Sequence, residues 1–337
     1  MSTSSPSARP TEAADKAAGE RRKSVGLFLA TLVCVYLTYG YVWEGGNPLG
    51  DWETAKAAGT FSVAQMSILL AHEMGHYVVA KRHGFELSLP YFIPFPAAFG
   101  TFGAVIRLRT LPRSRTALLE MGAAGPIAGA LVAFAAIAIG LPDTGPPPEI
   151  LLTEPPPEVD SPAWLASLTE WGPIAAVLAW LSPPVPDCHV GVLIFNNPPV
   201  MDLLGWLILG EPPGRYDSLS PIALAGWVGC LLTAINLVPI GQLDGGHILG
   251  AIWPKRARRV SRVLLGVALA AGILWSGWLV WGLLLLITGA WRNLGVPADT
   301  PLTPRARFIA VVALVLFFLT FMPLPVEPDS LPYTVAP

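Results

Sequence analysis

The stretch FSVAQMSILLAHEMGHYVVAKR, Phe61 to Arg82, is apolar as far as Ala80 and stops at Lys81-Arg82. About 20 predominantly apolar residues make a helix long enough to cross a bilayer. Inside this run lie His72, Glu73 and His76 in the spacing H-E-x-x-H. Three ionisable side chains in an apolar span are costly unless they serve a site. Positions i and i+4 share one face of a helix, so the His72 and His76 imidazoles can bind one zinc ion. Glu73 can reach the open side of such an ion and take a proton from water there, the general-base role in hydrolysis. Two core histidines with a stray glutamate are the competing reading, and the membrane setting weighs against it.

Composition agrees with a membrane setting. Of 337 residues, 53% are hydrophobic and 13% charged, whereas soluble domains carry about 25% charged residues. Mean hydropathy is +0.55. These values exclude a soluble single-domain enzyme, a disordered tail protein and a coiled coil, and they point to a multi-pass membrane protein. The net charge of −2 leaves no basic excess for nucleic acid. Cys34, Cys188 and Cys230 are widely spaced, which is neither a disulfide framework nor a cysteine zinc site.

Outward from the HExxH helix, the chain divides as follows. Residues 1–20 read as a disordered N-terminal tail. Arg21-Arg22-Lys23 precede an apolar run from Val25 to Trp43, expected as a first spanning helix. A cleaved signal peptide is the alternative, but the run is long and lacks a small-x-small cleavage site. Residues 84–106 are broken by Pro90, Pro94 and Pro96, too many for a spanning helix. With the alternation over Thr101–Arg109, they predict a small re-entrant or β element near residues 90–109. Further helices are expected over Thr116–Leu141, Pro221–Val238 and Phe308–Met322. Residues 263–290 are one long tilted span or a tight pair. Segments 161–181 and 189–210 are amphipathic interfacial helices or short spans. The fold class expected is an all-α polytopic membrane protein with about six core transmembrane helices. Its units are an N-terminal membrane part (21–141), a Pro-rich non-cytoplasmic insert (142–220), a C-terminal membrane part (221–325) and a short tail (326–337). By the positive-inside rule, Arg21–Lys23, Lys81-Arg82, Arg107–Arg115 and Lys255–Arg262 are cytoplasmic. The N-terminus is then expected inside a cell membrane, with loops 44–60 and 142–160 outside. Arg305 and Arg307 belong inside too, which favours the pair over 263–290.

A hydrolytic zinc ion takes three protein ligands and keeps one position open. Beyond His76, only His83 follows nearby, just past the helix end. A better third ligand lies in NLVPIGQLDGGH, Asn236 to His247. Asp244 ends an apolar stretch, flanked by glycines that let the backbone bend. A solvated aspartate in a helix-terminal turn is the alternative.

HEMGH at 72–76, Gly125-Pro126-Ile127-Ala128-Gly129, and NLVPIGQLDGGH at 236–247 together resemble the site-2 proteases, intramembrane zinc metalloproteases of peptidase family M50. The resemblance extends through the PFP…FGTFGA stretch and the SPIALAGWVG run, and so covers most of 61–253. It implies one zinc ion per chain, held by His72, His76 and Asp244, with Glu73 as the catalytic glutamate. Asn236 is similar to the residue that positions the scissile peptide or its oxyanion, and a fixed amide donor suits that task. A helix-terminal cap beside Pro239 is its competing role. The segment around Gly100–Gly103 resembles an edge strand that pairs with an unwound substrate; a re-entrant packing loop is the alternative. The implied partners are a transmembrane or membrane-anchored protein substrate and the lipid bilayer, with no nucleic acid. Unlike better-known relatives, the chain has no room for a PDZ domain between the motif spans. His247 reads as a polar residue at the membrane edge, with support of the metal ligands from behind as the alternative, His189 as a loop residue and His83 as interfacial. A divalent-metal transporter would need further ionisable residues across the membrane, and none are visible. A non-catalytic homologue that binds membrane proteins would be expected to have lost a motif residue, and all are intact.

Overall fold

The structure, a computed structural model, describes residues 10–110, 112–146, 151–152, 189–292, 301–332 and 334–335. The expected segment 161–181 and most of the Pro-rich loop lie outside the described residues. Helix α1 (Pro10–Thr38) runs on into a wide π turn at Tyr39–Trp43. α2 (Trp52–Arg82) follows, then strands β1 (Tyr91–Pro94) and β2 (Thr101–Val105), and α3 (Arg115–Gly140). After the two-residue β3 (Leu151–Leu152) come β4 (His189–Phe195), α4 (Pro199–Ile208), α5 (Pro221–Leu237) and α6 (Asp244–Ile252). α7 (Pro254–Ala271), α8 (Ser276–Thr288), α9 (Pro304–Thr320), β5 (Val326–Pro332) and β6 (Thr334–Val335) complete the order.

The centre is α3, packed against α2, α5 and α6. Its interface is made of small residues, among them Gly122, Gly125, Gly129, Ala130 and Ala133, all buried. Between apolar helices, small side chains let backbones approach and gain van der Waals contact where no hydrophobic drive separates helix from lipid. The packed interior continues through Phe61, Ile68, Ile137 and Trp227. Trp227 is fully buried, and its Nε1 donates to the Asn196 carbonyl at 2.8 Å. Helix ends are set locally. Asp51 caps α2 by accepting from the Thr54 amide at 2.7 Å, and Ser114 caps α3 by accepting from the Ala117 amide at 3.1 Å.

The β element expected near 90–109 is present. β1 and β2 form an antiparallel pair with Tyr91 opposite Val105, Phe92 opposite Ala104 and Pro94 opposite Thr101, and a Leu87–Leu108 bridge extends it. Residues 263–290 are the expected helical pair, broken at 272–275, although α7 starts at Pro254 and takes the basic cluster into its first turns.

Several expectations are corrected. The N-terminal tail is not structureless through residue 20, because α1 begins at Pro10. Proline suits a first helical position, and the Ala-, Glu- and Lys-rich run behind it has high helix propensity. About a third of 189–210, His189–Phe195, is strand, not helix. In HVGVLIF, Leu193 is 57% exposed and Ile194 3% exposed, the alternation of a one-sided strand. The C-terminal segment is not a free tail, since β5 pairs antiparallel with β4 from His189–Pro332 to Phe195–Val326. The fold is therefore mostly helical with small strands, not all-α. Among the described residues, two helices are long and apolar enough to cross a bilayer, Ala18–Trp43 and Arg115–Asp143. The apolar helices α4, α5 and α8 are shorter.

A candidate metal centre between α2, α3 and α6

His72 and His76 leave one face of α2 and meet Asp244, the first residue of α6. His72 Nε2 lies 3.2 Å from Asp244 Oδ2, His76 Nε2 lies 3.3 Å from Oδ1, and the two Nε2 atoms are 3.1 Å apart. Zinc ligands at about 2.0–2.1 Å in a tetrahedron stand about 3.3 Å from one another. The three donors are therefore already at the edge lengths that such an ion requires, and among the described residues they are the cluster able to hold a metal. His76 is further oriented from behind, because its Nδ1–H donates to the Met121 carbonyl at 2.8 Å. That bond fixes the tautomer and leaves the Nε2 lone pair pointing into the cluster.

The local sequence explains the convergence. The ring of His76 packs directly against Gly125 of α3, where a side chain would occupy the ring's space. The Gly-Pro-Ile-Ala-Gly motif is thus the surface that admits the two histidines. On the other side, α5 ends at Leu237 and the chain turns back at once into α6. Gly245 and Gly246 lie directly on the carbonyls of Leu237 and Gly241, an approach that a Cβ would block. Asp244 is therefore not in a C-terminal turn; it opens a new helix. Arg115, expected only as a charge marking the cytoplasmic side, anchors that helix from α3. Its Nε donates to the Ala251 carbonyl at 2.6 Å and its guanidinium Nη2 to Ile252 at 2.8 Å.

The three donors open onto a cavity of about 210 Å3. Glu73, which is buried, and Asn236, on the last turn of α5, line the same cavity. All five residues singled out in the sequence are thus brought together. The edge strand reaches the cavity too, but at Ala104, Val105, Ile106 and Leu108, not at Gly100–Gly103. Gly100 instead packs on the backbone of Val35 in α1. Two further residues line the cavity: Gln242, which the sequence reading passed over, and His247, which it placed first at the membrane edge and only second behind the ligands. Both lie inside the quoted LDGG segment, so proximity to Asp244 was the available signal. His83 is more than interfacial: its Nε2 lies 2.9 Å from Glu120 Oε2, tying the end of α2 to α3. His189 is the first residue of β4.

A helical protein whose HExxH helix meets a distant aspartate around one cavity falls in the class of metallohydrolase-like sites built on an HExxH helix. Residues 60–275 match peptidase family M50, and the chain belongs to that family. It is similar to "Probable zinc metalloprotease EGY2, chloroplastic" of Oryza sativa subsp. indica, 29% identical over 275 residues, 79% of this chain and 43% of the relative. "Probable zinc metalloprotease EGY1, chloroplastic" of Arabidopsis thaliana is 28% identical over 265 residues, 77% of this chain and 41% of the relative. The EGY1 protein of Oryza sativa subsp. japonica is 30% identical over 268 residues, 77% of this chain and 39% of the relative. The chain spans about two fifths of the length of these relatives. No solved structure matches it.

Proposed function

We propose that the chain is an intramembrane zinc metalloprotease that hydrolyses peptide bonds of transmembrane or membrane-anchored proteins, as in regulated intramembrane proteolysis. The observation that carries this reading is the meeting of His72, His76 and Asp244 within 3.3 Å of one another, with Glu73 in the same cavity. His72, His76 and Asp244 hold one zinc ion. When bound, zinc polarises the peptide carbonyl and makes a water proton acidic. Glu73 takes that proton and passes it to the leaving amine. Asn236 donates its amide N–H to the carbonyl oxygen as charge develops there. A helical peptide bond is shielded from water, so the substrate must unwind first. The 104–108 stretch, part of the cavity lining, offers backbone for the unwound strand to pair with. In this reading about six helical segments cross a cell membrane with the N-terminus in the cytoplasm, and water reaches the site from that side.

The test uses the purified full chain in detergent with a tagged transmembrane segment softened by glycines. Wild type should hold about one zinc and cut. Glu73→Gln should keep zinc and lose cleavage, while Asp244→Ala should lose both. Cleavage by Glu73→Gln at the wild-type rate, or a zinc-free wild type in excess zinc, would refute the proposal.

A further inference from the structure

The cavity is lined by unlike groups: Ala104, Val105, Ile106 and Leu108 are apolar, whereas Asn236 and His247 bring polar side chains. His247 follows Asp244 by three residues on α6, so the two side chains leave the same face of that helix. It stands outside the metal-ligand cluster, which comprises His72, His76 and Asp244. Its Nδ1 is sealed in the protein and has no hydrogen-bond partner among the described residues. Neither metal binding nor the proton transfers assigned to Glu73 use this ring.

An imidazole kept in an enclosed polar position without a partner calls for an explanation. A neutral ring carries one N–H and one lone pair. Sealing the N–H side without an acceptor strands a donor, and orphaned buried N–H groups are the rarer and costlier case. The proton therefore resides on Nε2, with the lone pair of Nδ1 facing the protein. The ring lines the cavity and Nδ1 is closed off, so contact with the cavity contents falls to Nε2–H. His247 is then a donor that faces whatever occupies the cavity beside the metal centre. A peptide laid along the 104–108 stretch enters the cavity that Asn236 and His247 also line.

We propose that His247 is a second oxyanion donor, whose Nε2–H hydrogen-bonds the scissile carbonyl oxygen in the cavity that it lines together with Asn236. This role rests on the peptidase reading above. The side chain gains most when the oxygen becomes negative, so it lowers the barrier more than it tightens substrate binding. It breaks no bond and holds no metal.

The test compares His247→Leu, which fills the space without a donor, with His247→Gln, which restores an N–H of similar reach. The full chain is purified in detergent, and four quantities are read: zinc per chain, kcat, KM, and affinity for a peptide phosphinate against that for the matching amide. The phosphinate carries a charged tetrahedral oxygen, and the amide is measured in a Glu73→Gln background so that it persists. His247→Leu should keep its zinc and its KM within about twofold, and lose about 100-fold in kcat and in phosphinate affinity, with amide affinity unchanged. His247→Gln should recover about tenfold of each loss. Wild-type kcat and phosphinate affinity in His247→Leu would overturn the proposal and leave the peptidase reading standing. Loss of zinc in both variants would overturn it as well, because the ring would then be supporting Asp244. A zinc-loaded wild type that neither cuts nor binds the phosphinate would refute the peptidase reading itself, and this role with it.

Discussion

Substituting alanine at Gly125 places a methyl group inside the space of the His76 ring. It would lie 2.5 Å from Cε1 and closer still to Nε2 and Cδ2. Ordinary van der Waals contact begins near 3.4 Å, so ring and helix must part by about 1 Å, and ring edges are not compressible on that scale. Zinc sites tolerate displacements of about 0.2 Å in ligand distance. His76 must therefore tilt off the Met121 carbonyl and out of the donor cluster, or α2 must separate from α3. Losing such support behind a ligand costs 10–100-fold in metal affinity, and Gly125→Ala should reach at least the upper figure, about 2.7 kcal/mol. Gly129→Ala is the internal comparison. Its methyl would meet His72 Cβ at 3.0 Å and Nδ1 at 3.2 Å, so a shift of a few tenths of an ångström relieves it. Zinc affinity measured by competition with a chromophoric chelator, with helix content followed by circular dichroism, should rank wild type above Gly129→Ala and Gly129→Ala well above Gly125→Ala. Wild-type affinity in folded Gly125→Ala, or a reversed order, would refute the claim that this motif seats the histidines.

Arg115→Ala removes two charged hydrogen bonds to the end of α6; thermal melts should show a loss of about 1.5–3 kcal/mol or more, and Arg115→Lys should restore only part because it lacks the fork. Asp51, capping α2 outside the expected span, is held below the usual carboxylate range by the Thr54 hydrogen bonds. Because its folded value is depressed, its contribution is present above about pH 4 and is lost as pH falls through the lower folded value; Asp51→Ala should therefore lower Tm at neutral pH, with the difference from wild type closing in strong acid. Chelation should lower the Tm of zinc-loaded wild type, since zinc at 100 times its Kd adds about 2.7 kcal/mol, and should leave Asp244→Ala unchanged.

The parts of the site that were legible are those whose chemistry is written in local spacing. His72, Glu73 and His76 need only the helical repeat, and the apolar run around them signals that the helix forms. Asp244 was legible for another reason, as an acid stranded in apolar sequence that a two-histidine site still needed. The supports behind these residues were not. The Met121 carbonyl that orients His76 is a backbone atom, which carries no residue signature. Arg115 looked like a topology marker because arginines before an apolar helix commonly are, and its bonds to Ala251 and Ile252 span most of the chain. His247 looked like an edge residue because burial cannot be read from one position in a glycine-rich turn. HVGVLIF was ambiguous because a short apolar run fits a buried helix or a strand equally. Its partner, β5, begins more than a hundred residues later.

By itself, then, the sequence determined the apolar class of the protein, the HExxH helix, the β element near 90–109 and the identity of the third donor. Each of these follows from composition, from a local period or from the chemistry of a single residue. The tertiary structure alone decided that α3 offers glycine where the histidines need room, that Asp244 opens a helix close enough to complete the donor set, and that His247 faces the same cavity. Those facts depend on distances between helices far apart in the chain. Such distances are set by hydrogen bonds to backbone carbonyls, which carry no residue signature, and by small residues whose spacing, as at Gly125 and Gly129, does not say which helix they meet.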